Sequence, residues 1–141
     1  MWIKTKTCGE YSKTNIFDVN LAMDESFKEL LKILLPPVIF EYFELTKIDK
    51  QEEVLHLYME EQNKQPKEFS SDKLQSKGFF DEITVQDFPI RGHQVFLHIK
   101  RRRWMSETSG KVVYRDWDLV ARGTRLTSEF ASFLKEISRY Q

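Results

Sequence analysis

The run Asp87-Phe-Pro-Ile-Arg-Gly-His-Gln-Val-Phe-Leu-His-Ile-Lys-Arg-Arg-Arg-Trp104 constrains this chain most, because an alternating apolar strand leads straight into four consecutive cations closed by a tryptophan. Strand side chains alternate between faces. Val95, Leu97 and Ile99 therefore share one side, and Phe96, His98, Lys100, Arg102 and Trp104 share the other. The same alternation separates Arg101 and Arg103 from Lys100 and Arg102. Such a strand buries its base and keeps its basic end in water, which makes a polyanion the first partner to consider.

The formal charge of zero conceals a division along the chain. Residues 24–89 hold eight lysines against fifteen carboxylates, a net of −7, whereas residues 90–125 hold nine lysines and arginines against three carboxylates, a net of +6. A segregated chain presents a positive face whose field reaches about 8 Å at physiological salt, so neutrality does not exclude nucleic acid. The alternative is that the two halves pack on each other or on a partner of opposite charge.

A chain of 141 residues is long enough for one domain with its own core. The single cysteine, Cys8, cannot form an internal bridge, which suits a reducing compartment. No apolar run approaches the ~20 residues of a membrane helix. Residues 1–20 also lack the hydrophobic centre of a signal peptide, so the expected compartment is the cytoplasm, with no membrane partner.

Residues 1–20 read as a loose leader. From Asp24, the residues Phe27, Leu30, Leu31 and Leu34 recur at helical spacing up to Pro36-Pro37, which stop the helix. A turn of helix over 38–42 is followed by strands over 43–48 and 53–60, a hairpin with Leu55, Leu57 and Met59 on one face. The polar stretch 63–77, which contains Pro66, reads as a surface loop dividing a helix-plus-hairpin half (21–62) from a second half (78–141). That half is expected to hold a strand through Ile83 and Val85, a long strand over 94–105, a turn whose Gly110 suits positive φ, and a return strand over 111–120. A final helix capped by Thr127 carries Leu126, Phe130, Phe133, Leu134 and Ile137 as its apolar stripe. The fold class is thus α+β: an N-terminal helix and β-hairpin, then a three-stranded antiparallel β-ribbon with a C-terminal helix.

Five motifs in order, Lys77-Gly-Phe-Phe-Asp, Asp87-Phe-Pro-Ile-Arg-Gly92, Val95-Phe-Leu-His-Ile-Lys-Arg-Arg-Arg-Trp104, Arg115-Asp-Trp117 and Gly123-Thr-Arg-Leu-Thr-Ser-Glu-Phe-Ala131, resemble the N-terminal region of bacterial insertion-sequence transposases of the DDE class. The resemblance spans about residues 28–139 and is strongest from Lys77 onward. It implies a region that engages the terminal repeats of a mobile element as double-stranded DNA. Relatives are similar in carrying a zinc ribbon, helix-turn-helix elements and a catalytic domain of RNase H-like fold. This chain departs from them in two ways. A closed zinc site needs about four nitrogen or sulfur ligands, yet residues 9–141 contain no cysteine. The ribbon is therefore expected to be metal-free, with aromatic packing in place of the metal. The catalytic domain does not follow within these residues, as expected of the first frame of a two-frame element or of a truncation.

The candidate DNA-contacting residues are Arg91, Lys100, Arg101, Arg102, Arg103, Lys111, Arg115, Arg122 and Arg125. Against phosphate contact stands a solvated hairpin face whose arginines pair with Asp116 and Asp118. Trp104 and Trp117 either stack on bases or fill the space across the hairpin. His93 and His98 lack companion ligands and read as structural. Arg122 and Arg125 precede a helix N-terminus, which favours an anion but equally makes a plain junction. The acid-rich stretches read as a solvated surface, since a transposase metal site needs acids converging from a large catalytic domain. The chain is thus expected to bind element ends without catalysis, metal or cofactor; the alternative is a regulatory module that docks on the catalytic transposase chain.

Overall fold

The protein is α+β. The structure, a computed structural model, describes residues 25–115 and 118–140, and residues 15–18 through their backbone. Cys8, Asp116 and Trp117, on which several of the expectations above rest, lie outside the described residues.

Helix α1 spans Glu25–Leu34. It stops where expected, because the residue before a proline is driven out of the helical region. Pro37 then opens a short helix α2, Pro37–Tyr42, from a position where its missing N–H leaves nothing unpaired. The inward side chains Leu31, Leu35 and Ile39 cover one face of the main sheet. Among the described residues no helix is long and apolar enough to cross a membrane.

That sheet has five strands in the order β1-β2-β3-β6-β5, formed by Asn15–Asp18, Phe43–Gln51, Val54–Glu61, His93–Lys100 and Ile83–Ile90 respectively. The hairpin β2–β3 appears as read from the sequence. A second hairpin, β5–β6, closes through Arg91 and Gly92, both at positive φ (50° and 79°), the pattern of a two-residue type I′ turn. The hairpins join through β3 and β6, which run parallel with Leu55 opposite Val95, Leu57 opposite Leu97 and Met59 opposite Ile99. These central pairs form the core with Val85, Leu45, Phe43 and Leu119. Each fully buried side chain of this size contributes roughly 1.5–3 kcal/mol.

Two expectations change here. Residues 15–18 of the supposed leader pair antiparallel with β2 as an edge strand, a long-range contact with no local signal. The stretch read as a dividing loop contains a 3-10 turn, Lys67–Phe69, and most of strand β4, Leu74–Phe79. The parallel β3–β6 pairing then runs one sheet through both halves, so 63–77 is an excursion rather than a boundary.

The long basic strand is also divided. β6 ends at Lys100 and β7, Arg102–Ser106, belongs to a second, three-stranded sheet of order β4-β7-β8, with β8 only Val112–Val113. The expected ribbon of three consecutive strands is therefore shared between two sheets. Its changeover is fixed by Glu61 at the end of β3. The Arg102 backbone N–H donates to Glu61 Oε2 at 2.8 Å, so a carboxylate stands where a strand neighbour would otherwise accept. Glu61 is only 2% exposed, and burial pushes its carboxyl above the ordinary range against the opposing pull of the Arg102 N–H and the Arg115 guanidinium.

Helix α3, Ser128–Ser138, begins at Thr127 as expected: the Thr127 hydroxyl accepts from the Phe130 N–H. The same hydroxyl donates to Asp87 Oδ1 at 2.7 Å, and the Thr127 N–H donates to the Gln86 carbonyl at 2.9 Å. The residues leading into α3 thus run along the free edge of β5 and protect it.

Candidate nucleic-acid interface

The nine candidate cations separate once the two sheets are in place. Arg115 is buried, 5% exposed, with Nε 3.4 Å from Glu61 Oε1, Nη2 donating to the Lys64 carbonyl at 3.0 Å, and its guanidinium over the Tyr42 ring. Arg102 is half-buried. Its Nε and Nη2 donate to the Glu61 carbonyl, its Nη1 donates to Ser76 Oγ at 2.8 Å, and it covers the Phe79 ring. The guanidinium groups of these two arginines are engaged inside the fold, around Glu61.

Lys100 ends β6 beside Glu60, its register partner, at 3.4 Å. Arg101 lies beside the rings of Phe80 and Tyr114, 5.5 and 5.9 Å from their centroids, and the two rings meet each other edge-on at 5.8 Å. Arg103 and Lys111 are exposed, and Arg103 Nη2 donates across to the Lys77 carbonyl at 3.1 Å. Arg91 sits in the β5–β6 turn, at the far end of β6 from this group. At ~3.3 Å per residue that is a separation of about 30 Å. Arg122 and Arg125 are exposed in the segment before α3, and the Arg125 carbonyl accepts from the Gln86 N–H midway along β5. The fold therefore gathers Arg101, Arg103 and Lys111, and holds Arg91, Arg122 and Arg125 apart from them.

The register of the small sheet explains the gathering. Ser76 faces Trp104, which faces Val113, and Leu74 faces Ser106, so Arg102, Trp104 and Ser106 share the inner side. Trp104 is 4% exposed, with its indole N–H unpaired among the described residues, so it packs the inner face and is not available to stack on a base. The outer side, by alternation, carries Gln75 and Lys77 from β4, Arg103 and Met105 from β7, and Val112 from β8, followed by the exposed Tyr114. None of the three strands contains a carboxylate, in a chain with 22 of them.

Among the described residues, Asp72 and Glu107 flank this face at its ends. Glu107 lies 3.6 Å from Lys73, and Asp72 is held by Ser106, Thr108 and the Lys73 N–H, hydrogen bonds that keep its carboxyl below the ordinary range. Outer strands of a three-stranded sheet lie about 10 Å apart, within the ~12 Å width of a DNA major groove. Cations and one exposed phenol on a face of that width suit a phosphate-lined groove. Lys77, Gln75 and Tyr114 were not among the candidates from sequence. Lys77 and Gln75 fell in a presumed loop, and only the pairing of β4 with β7 places them beside Arg103.

The other polar cluster lies on the side of the main sheet opposite the core. His98 Nδ1 is 3.0 Å from Glu82 Oε1, and its Nε2 is 2.8 Å from His56 Nδ1. With Glu82 accepting, His98 carries its proton on Nδ1 and accepts from His56. Tyr58 stacks on His98 at 4.4 Å, and Lys47 stands over the Tyr58 ring at 4.8 Å. Burial first, then the proximity of His98, lowers the pKa of His56. His93 instead contacts the Ile90 and Arg91 carbonyls in the turn. Among the described residues no three histidine, cysteine or acidic side chains are placed to hold a metal ion.

In comparisons with known proteins, the chain matches no family model, no curated protein and no solved structure.

Proposed function

We propose that this chain is a DNA-binding module without catalytic activity of its own, and that it engages double-stranded DNA through the outer face of β4, β7 and β8. The observation that carries this reading is a face of three carboxylate-free strands with Lys77, Arg103 and Lys111 at its surface and Arg101 against the rings of Phe80 and Tyr114 beside it. Guanidinium and ammonium groups neutralise phosphates, while Tyr114 and Met105 offer apolar contact to sugars or bases. The motif resemblance supports a narrower form: the N-terminal region of an insertion-sequence transposase, acting on element ends in the cytoplasm. The lone cysteine in 141 residues agrees with that reducing compartment.

Four cations at the face imply a slope of log K against log salt of roughly −3 to −4, since each neutralised phosphate contributes about −0.9. Fluorescence anisotropy with a labelled duplex over a salt series measures it. Absence of binding at low salt, or a slope near zero, would contradict the proposal.

A further inference from the structure

We propose that the exposed apolar sides of α1 and α3 form the interface of a homodimer, the occupant being a second copy of this chain. Leu30, Ile33 and Leu34 on α1, with Phe133, Leu134, Ile137 and Tyr140 on and just beyond α3, are each between 41% and 83% exposed. They make up most of the large apolar side chains that the described residues leave in water, and the remainder include Val112 and Tyr114 on the DNA face. The two stripes are continuous. Ile33 and Leu34 line a cleft of about 410 Å³ with Phe88, Ile90 and Glu129, and Phe88 packs on Phe130 and Phe133 at 5.1 and 5.3 Å.

Area selects an interface over an incidental patch. Taking about 200 Å² for a fully exposed large apolar residue, the seven offer on the order of 800 Å². The largest patch on an ordinary monomer is about 300–600 Å², and a standard interface takes ~800 Å² from each partner.

Charge selects a second copy over other occupants. The flanks of both helices are paired within themselves, Lys28 with Glu25, Lys32 with Glu29 and Arg139 with Glu136, so like faces meet without repulsion. A helix lying on an anionic lipid surface needs a polar face rich in lysine and arginine, which neither has. Arg91 and Glu129 both line the cleft, and neither forms an ion pair among the described residues. A two-fold axis makes the interface self-complementary, and a face that carries one cation and one anion from each copy meets that requirement in charge. This inference does not depend on DNA binding, and assigns Arg91 to protein contact.

Light scattering of the full chain without DNA, over a concentration series, tests it. The parent should show twice the 16.9 kDa chain mass. Ile33→Glu and Ile137→Glu, both at exposed positions, should each raise the dimer dissociation constant about a hundredfold or more while leaving circular dichroism unchanged. A parent of single-chain mass at every concentration would overturn the proposal, including one that instead floats with lipid vesicles. So would folded variants that both remain dimeric.

Discussion

The backbone N–H of Arg102 donates to the Glu61 carboxylate at 2.8 Å while the Arg102 side chain donates to the Glu61 carbonyl, so one residue of β3 holds both the backbone and the side chain of β7. Arg115 Nε reaches the other carboxylate oxygen, 3.4 Å from Glu61 Oε1. Glu61 is thus the joint between the two sheets. Removing one member of a buried ion pair strands the other charge and costs about 3–5 kcal/mol. Glu61→Ala should lose that much, whereas Glu60→Ala, which breaks only the half-exposed pair with Lys100, should lose at most ~1 kcal/mol. Urea denaturation of both variants decides. Equal midpoints would mean that the sheets are joined some other way.

This joint also explains what was legible in the sequence. Helix α1, its stop at Pro36-Pro37, the β2–β3 hairpin and the Thr127 cap were readable because each depends on residues within a few positions. The division of the basic strand at Arg101 was not readable, since residues 94–105 alternate without a glycine or proline, and the break is imposed by Glu61, forty-one positions from Arg102. For the same reason Arg102 and Arg115 looked like surface cations. Glu61 and Lys64, which bind them, lie at the end of β3 and just after it, and composition assigned that region to a separate acidic half. Strand β4 was hidden in a polar stretch because only its pairing with β7 orders it, and that pairing places Lys77 beside Arg103.

Thr127 couples α3 to β5 through a single hydroxyl that caps the helix and donates to the buried Asp87. Thr127→Ala should cost about 1–2 kcal/mol for the lost cap, with a further ~1–3 kcal/mol because a buried acceptor is left unpaired. Thr127→Ser keeps the hydroxyl and should stay close to the parent. Chemical denaturation measures the difference; an alanine variant as stable as the serine one would remove this coupling.

Acidification should weaken the fold through His56. Burial and the neighbouring His98 depress its pKa below the usual 6.5, so the unfolded chain takes up this proton before the folded one. The resulting stability is fully present above about pH 6.5 and is lost as pH falls below it. His56→Gln should flatten stability against pH within that window. An unchanged slope in the variant would place the titrating group elsewhere.

The outer face of β4 and β7 carries the central claim, and a pair of charge reversals tests it without touching the Glu61 joint. Lys77→Glu with Arg103→Glu alters two exposed cations on adjacent strands. Arg122→Glu with Arg125→Glu alters two exposed cations beside β5. In anisotropy titrations with a labelled duplex across a salt series, the first pair should reduce the magnitude of the salt slope by about 2 and abolish binding at physiological salt. The second pair should leave both nearly as in the parent. Equal losses from the two pairs, or full binding by the Lys77 and Arg103 variant, would contradict this account.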